Sequence, residues 1–375
     1  MRFIPRALRT LVIPFSLVPS IASGAGTPSP TVSIPLPVSN LPQGGMIVSD
    51  TLVAYDLPDP PLHMRDANHP FTNFHDRIFT VNLRTTGLGL TASAPRLLFT
   101  QLRGLTMTPW SINGGWLVYT QYSSTDPAGP WTLVARDIAT GKVIALDSSA
   151  REGVPSVAAQ AASDGRTVIW QSWTQAQGGA ASVIRSYDLT TGRRRLLAEG
   201  GSQDTWSYAW PGVSGHSVVF EKETRDGQLL RAQILLMDLV TGRVRPLTSG
   251  TTPNSEPSIS GDVIVWKNGW RYEGGQGVTI YNVRSGTQHV LAGSNVEQPK
   301  VTAGRYVIFP TGTPFRVQLY DVQTQTSTIL AAPQGDGTQP GNVVFAGGHA
   351  VAYSIGKLST TTTPSPRRLV VTLLP

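Results

Sequence analysis

Three histidines and three aspartates fall in one stretch, Leu57 to Asp76 (LPDPPLHMRDANHPFTNFHD), which carries His63, His69 and His75 with Asp59, Asp66 and Asp76. Neutral imidazoles and carboxylates are the ligands that zinc and other divalent metals take. Successive histidines are six residues apart, a spacing that matches no metal motif, so no metal site is assigned. The stretch is read instead as a polar loop that packs Phe71 and Phe74 against the body of the protein and offers His63, Asp66, His69 and His75 to a ligand. A second group consists of residues just ahead of regularly recurring prolines: Leu41, Thr108, Val154, Trp210, Glu256, Gln298 and Gln339. Asp204, Trp206, Trp270, Tyr272 and Glu297 lie close to them in sequence. Aromatic rings beside amides and carboxylates suit a carbohydrate or a peptide, because rings stack while polar groups orient. Trp210, Trp270, Glu256, Gln298 and Gln339 are the candidates from this group. No two carboxylates are identifiable at a fixed separation, so acid–base chemistry is not assigned and no catalytic residue or cofactor is expected.

Internal repeats indicate what positions these residues. Pro42, Pro109, Pro155, Pro211, Pro257, Pro299 and Pro340 each precede an apolar unit, and a strand-closing aromatic follows: Tyr55, Tyr119, Trp170, Phe220, Trp266, Phe309 and Tyr353. The last five aromatics are 50, 46, 43 and 44 residues apart. A third marker is a turn after the next strand, Asp137 to Gly141, Asp188 to Gly192 and Asp238 to Gly242, with weaker forms at Asn282, Asp321 and Asn82. Proline lacks an N–H and fits a strand's first residue, a large ring fills the gap between sheets, and Asp with Gly closes a tight turn. Four strands per unit and seven units give an all-β fold, a seven-bladed β-propeller of four-stranded antiparallel blades starting near residues 42, 109, 155, 211, 257, 299 and 340. The last unit lacks a strand, and residues 31–38 (TVSIPLPV), with their edge-type prolines, are expected to supply it against residues 369–374. In such a blade the loop between the second and third strands projects from the same face as the connections between blades. The histidine-bearing insertion therefore belongs over one mouth of the central channel, on the face where the pre-proline residues gather.

Composition narrows the function classes. The 375 residues contain no cysteine, which removes disulfides, thiol chemistry and a lipid-bearing cysteine. Arg2, Arg6 and Arg9 precede the apolar run Leu11–Ile21 and the small residues Ala22–Ala25, the pattern of an export signal over residues 1–25. Residues 26–375 are then a single propeller domain, extracytoplasmic, with no membrane anchor after signal cleavage. Setting those three arginines aside takes the net charge from +7 to +4. The densest basic run, Arg193-Arg194-Arg195, follows a turn and reads as a solvated strand edge, and no broad basic stripe points to nucleic acid.

The alternation of Pro257-Ser-Ile-Ser-Gly261, Asp262-Val-Ile-Val-Trp266 and Leu236-Met-Asp-Leu-Val-Thr-Gly242 with the following Pro246-Leu-Thr resembles TolB-like repeats. It is also similar to WD-repeat-like propellers and to the propeller domains of prolyl oligopeptidase-type peptidases. The resemblance covers roughly residues 42–375. It implies an extracytoplasmic bacterial propeller that binds or scaffolds, a monomer with a protein partner or a carbohydrate or peptide ligand at the channel mouth. There is no added N-terminal domain of the TolB kind, no space for a C-terminal hydrolase domain, and no Gly-Xxx-Ser-Xxx-Gly elbow. A quinoprotein-like motif starts at Ala135, Asp137, Thr140 and Gly141 but has Ala145 in place of tryptophan. A sialidase-like box at Ser124, Asp126, Gly129 and Trp131 has its glycine one residue late. The expected function is non-catalytic binding through the channel mouth; the competing class is a propeller-fold polysaccharide lyase or glycoside hydrolase that uses the 57–76 insertion.

Overall fold

Each marker aromatic lies on the second strand of a four-stranded antiparallel sheet, and seven sheets surround a central channel. The computed structural model describes residues 29–35, 46–59, 75–87, 89–123, 129–154, 159–176, 179–202, 206–226, 229–249, 252–270, 273–357 and 367–375. The expected export signal and residues 60–74 of the insertion lie outside these residues. The fifth blade shows the pattern. From the channel outward its strands are Asn254–Ser260, Val263–Asn268, Gly275–Asn282 and Gln288–Val296. Its second strand is apolar on both faces because both are covered. Val263 and Val265 pack against the sixth blade, while Ile264 and Trp266 pack against the fourth.

All seven marker aromatics are buried, and each faces the preceding blade. One apolar cluster fills each junction, including that between blades seven and one, where Tyr55 and Val53 meet Ala350, Ala352, Leu369 and Val371. The third marker is likewise a fold device. Asp137, Asp188, Asp238, Asn282 and Asp321 each accept two backbone N–H groups of their own turn through one side-chain oxygen.

The N-terminal strand closes the ring. Thr31–Pro35 lies antiparallel to Arg367–Leu373, with Thr31 opposite Thr372 and Pro35 opposite Arg368. Ile34 is buried in the cluster between blades seven and one. Residues 36–38 of the expected strand fall outside the described residues. The first blade departs from four strands. Its third strand, His75–Thr86, pairs at its far end with Gly89–Ala92 and nearer its start with Arg96–Thr100, so two short strands share the outer edge.

The prolines are placed differently from the sequence expectation. Pro109, Pro211, Pro257 and Pro340 lie within inner strands, at β-bulges, rather than at strand starts. A bulge leaves a residue unpaired, so a missing N–H costs the ladder nothing there. Among the described residues only Pro299 directly precedes its strand, Lys300–Thr302.

At the end of the channel where the inner strands finish, their turns are joined from blade to blade. Asn113 Nδ2 donates to Ser163 O (2.7 Å), Gly215 N to Asp164 Oδ2 (3.0 Å), Gly261 N to Ser214 Oγ (2.9 Å) and Gly304 N to Ser260 Oγ (3.0 Å). Thr302 Oγ1 donates to Gly348 O and His349 N to Asp50 Oδ1, which carries the chain of contacts on to the first blade. The backbones approach so closely that a Cβ on Gly114 would lie 2.9 Å from the Gly165 Cα. At this end the turns form a continuous seam around the channel.

Candidate binding site at the channel mouth

The site is built on the bulges. Trp210, Glu256 and Gln298, the pre-proline residues of blades four to six, have φ of 50°, 57° and 27°. Each such left-handed non-glycine residue costs on the order of 1–3 kcal/mol and persists only where its surroundings enforce it. Here the enforcing contact is a side-chain oxygen that captures the residue's own N–H. Gln160 Oε1 accepts from Trp210 N (3.2 Å), Glu221 Oε2 from Glu256 N (3.1 Å) and Glu256 Oε2 from Gln298 N (3.0 Å). Side chains also bridge the first two junctions: Asp76 Oδ2 accepts from Met107 N (2.7 Å) at the first, and Thr120 Oγ1 donates to Ala159 O (2.8 Å) at the second.

These contacts fix a channel of about 690 Å³ lined by the inner strands, with Thr108, Gln160, Trp210, Glu297, Gln298 and Lys300 among its walls. Its electrostatics centre on two lysines. Lys267 is fully buried; its ammonium lies 3.1 Å from Glu256 Oε2 and 3.4 Å from Glu297 Oε2, and donates to Glu273 O at 3.2 Å. Glu256 is 2% exposed, and burial raises its pKa, partly offset by the Lys267 charge and hydrogen bond. Lys300 is the opposite case. It has no hydrogen bond and no ion pair among the described residues, and its ammonium sits 5.8 Å from the centre of the Trp210 ring. Burial lowers its pKa, and the Glu256 charge offsets this only in part. The Trp210 Nε1 is itself buried without a hydrogen-bond acceptor.

Of the residues proposed from sequence, the structure brings together Trp210, Glu256 and Gln298. Glu256 is a positioning residue, since its carboxylate is engaged by Lys267 and the Gln298 amide. Gln339 lies on the seventh blade's inner strand opposite Gly356, away from the channel lining, and Trp270 is half-buried in the turn that follows the strand Val263–Asn268. His75 opens the first blade's third strand, opposite Asp59, so the insertion does join second and third strands as expected. His63, Asp66 and His69 lie outside the described residues. Asp76, counted with the histidines as ligand chemistry, is instead buried and tied to the second blade through Met107 N and Thr106 Oγ1. Among the described residues no group of three or more His, Asp or Glu side chains is placed to hold a metal ion.

The sequence reading overlooked Lys267 and Lys300. A signal was present, because the residue after each marker aromatic is Asp56, Thr120, Gln171, Glu221 and Lys267 in blades one to five, all buried. A strand alternates faces, so the residue after an aromatic that faces backwards must face forwards into the next junction.

Asp56 shows what that position costs. It is 2% exposed, and its Oδ1 has no hydrogen-bond partner among the described residues. Burial first, and then the Asp76 charge, push its carboxyl well above the usual carboxylate range. A raised carboxyl binds a proton on folding, so stability is greatest at acid pH and falls as pH rises from the unfolded value toward the folded one. Asp56→Asn is therefore expected to stabilise the protein, by a margin that widens with pH at up to about 1.4 kcal/mol per unit. Urea midpoints of the two proteins between pH 4 and 8 check this; parallel pH profiles would refute it.

No protein-family model and no curated protein sequence matches the chain. Among solved structures, the β-propeller domain of the Trilobed protease from Pyrococcus furiosus is similar over 87% of this chain and 94% of that one, at 14% identity and a TM-score of 0.58. An oligogalacturonate lyase in complex with manganese is similar over 92% and 98%, at 10% identity and a TM-score of 0.52. TolB from Acinetobacter baumannii is similar over 71% and 79%, at 16% identity and a TM-score of 0.39. The first two likenesses establish the propeller architecture. The Pyrococcus domain is described as having an open velcro topology; in this chain the N-terminal strand hydrogen-bonds to the last blade.

Proposed function

We propose that the protein is an exported, non-catalytic binding module that receives a small ligand, or the tip of a larger one, at the mouth of its channel. The observation that carries this reading is the unpaired donor on the channel wall. The Lys300 ammonium has no acceptor among the described residues, while Gln160, Glu221 and Glu256 spend oxygens on holding the left-handed backbone of Trp210, Glu256 and Gln298. A cation beside an aromatic ring favours a ligand rich in carbonyl or hydroxyl oxygens, which describes a saccharide or a peptide. Export is supported by the Arg2–Ala25 pattern.

Arrayed glycans and peptides, followed by titration calorimetry, test the reading. Lys300→Met is expected to weaken the captured ligand roughly tenfold or more, because a hydrogen bond to a charged group contributes about 1.5–3 kcal/mol. Binding unaffected by both Lys300→Met and Trp210→Phe would place the ligand elsewhere, and turnover of the captured ligand would replace binding by catalysis.

A further inference from the structure

We infer that Lys300 is a reactive amine that forms a reversible imine with an aldehyde or ketone entering the channel. This goes beyond non-covalent capture and stands or falls separately from it.

The five lysines have different surroundings. Lys142 is exposed on a turn, and Lys357 is exposed and 3.7 Å from Asp336. Lys222 stacks on the Trp206 ring at 4.2 Å, and Lys267 is enclosed between Glu256 and Glu297. Lys300 alone lines the channel, and it alone combines that setting with the lack of any carboxylate within ion-pair distance. An ammonium is stabilised by water or by a paired anion; half-buried in the channel wall, Lys300 has a tryptophan face and no paired anion. A lysine becomes a nucleophile in such a setting, partly desolvated and unpaired. The Glu256 charge acts on it only from beyond ion-pair distance. The lowered pKa of Lys300 is the consequence that increases the neutral amine near pH 7.

The step balances without any further reagent. The amine lone pair forms a C–N bond to the carbonyl carbon, and the carbonyl oxygen takes up a proton to give a carbinolamine. Loss of that oxygen as water, carrying a second proton originally on nitrogen, leaves the C=N bond.

The test uses the full chain with glyceraldehyde and cyanoborohydride at pH 7, which traps each imine as a stable secondary amine, followed by peptide mapping. The expected result is labelling of Lys300 at least tenfold faster than of Lys142 or Lys357, absent in Lys300→Arg, with the folded state of the variant checked by circular dichroism. Labelling that follows exposure, with Lys142 and Lys357 modified first, would overturn the inference. So would capture of a glycan or peptide at the channel mouth with Lys300 unlabelled, an outcome that leaves the binding role in place.

Discussion

Lys267→Met is expected to destabilise the protein by about 3–5 kcal/mol, the cost of breaking a buried ion pair from one side. The lysine is fully buried, and its removal leaves Glu256 in the interior with only the Gln298 amide as a close donor. The stem contributes as well. It lies against Gly275, where a Cβ would come within 2.5 Å of the Lys267 Cγ, so the absent side chain at 275 makes room for the lysine. Methionine keeps most of that stem and isolates the charge.

Electrostatic and packing losses separate by pH and by a second substitution. Glu256 already has a raised pKa through burial, and the loss of Lys267 raises it further. The deficit is then smallest in acid, where the carboxyl is protonated in both folded and unfolded chains, and grows once pH passes the parent's raised folded value for Glu256. Lys267→Met combined with Glu256→Gln is expected to recover more than half of the loss at pH 7, measured as the shift in urea midpoint. A double variant no more stable than Lys267→Met would show that the lysine acts through packing rather than charge.

The architecture was legible in the sequence because its markers are local. An aromatic facing the preceding blade recurs seven times, a proline at a bulge four times and an Asp or Asn closing its own turn five times among the described residues, and each acts within a few residues. Thr31–Pro35 could be placed across the ring because the last unit was short of a strand. The site was legible only in part. Trp210 and Gln298 were found through their position before a proline; both are left-handed, Trp210 at a bulge inside its strand and Gln298 just ahead of the strand Lys300–Thr302. Lys267 and Lys300 were passed over, since alternation ordinarily separates a buried face from a wet one. A propeller blade buries both faces of its middle strands, and a polar residue there meets the next blade. Nothing local in Trp266-Lys267 identifies Glu256 and Glu297 as its partners; that pairing exists only once blades five and six are side by side.

Arg194→Ala is expected to cost a similar amount, about 3–5 kcal/mol, while Arg193→Ala one residue away stays within about 0.5 kcal/mol of the parent. The run Arg193–Arg195 reads from sequence as a solvated edge, and Arg193 and Arg195 are exposed. The strand's alternation turns the middle residue inward, opposite Tyr187. There its Nη2 lies 2.9 Å from Asp147 Oδ1 and 3.0 Å from Glu152 Oε1. Both carboxylates are almost fully buried between the second and third blades, and Arg185 Nη2 reaches Glu152 Oε2 at 2.5 Å. Asp147 also accepts the indole N–H of the buried Trp170 at 2.6 Å, so the marker aromatic of the third blade is fastened to the same network. The two acids respond in opposite directions. Burial and the Glu152 charge raise Asp147, whereas Glu152, though burial opposes it, is lowered by its hydrogen bond to Arg185. Without Arg194 the Asp147 carboxyl rises further, and the variant's stability falls more steeply with pH between 4 and 7 than the parent's. Equal losses for Arg193→Ala and Arg194→Ala in denaturant titrations would reduce the network to a surface feature; a deficit confined to Arg194 and widening with pH identifies it as the fastening between two blades.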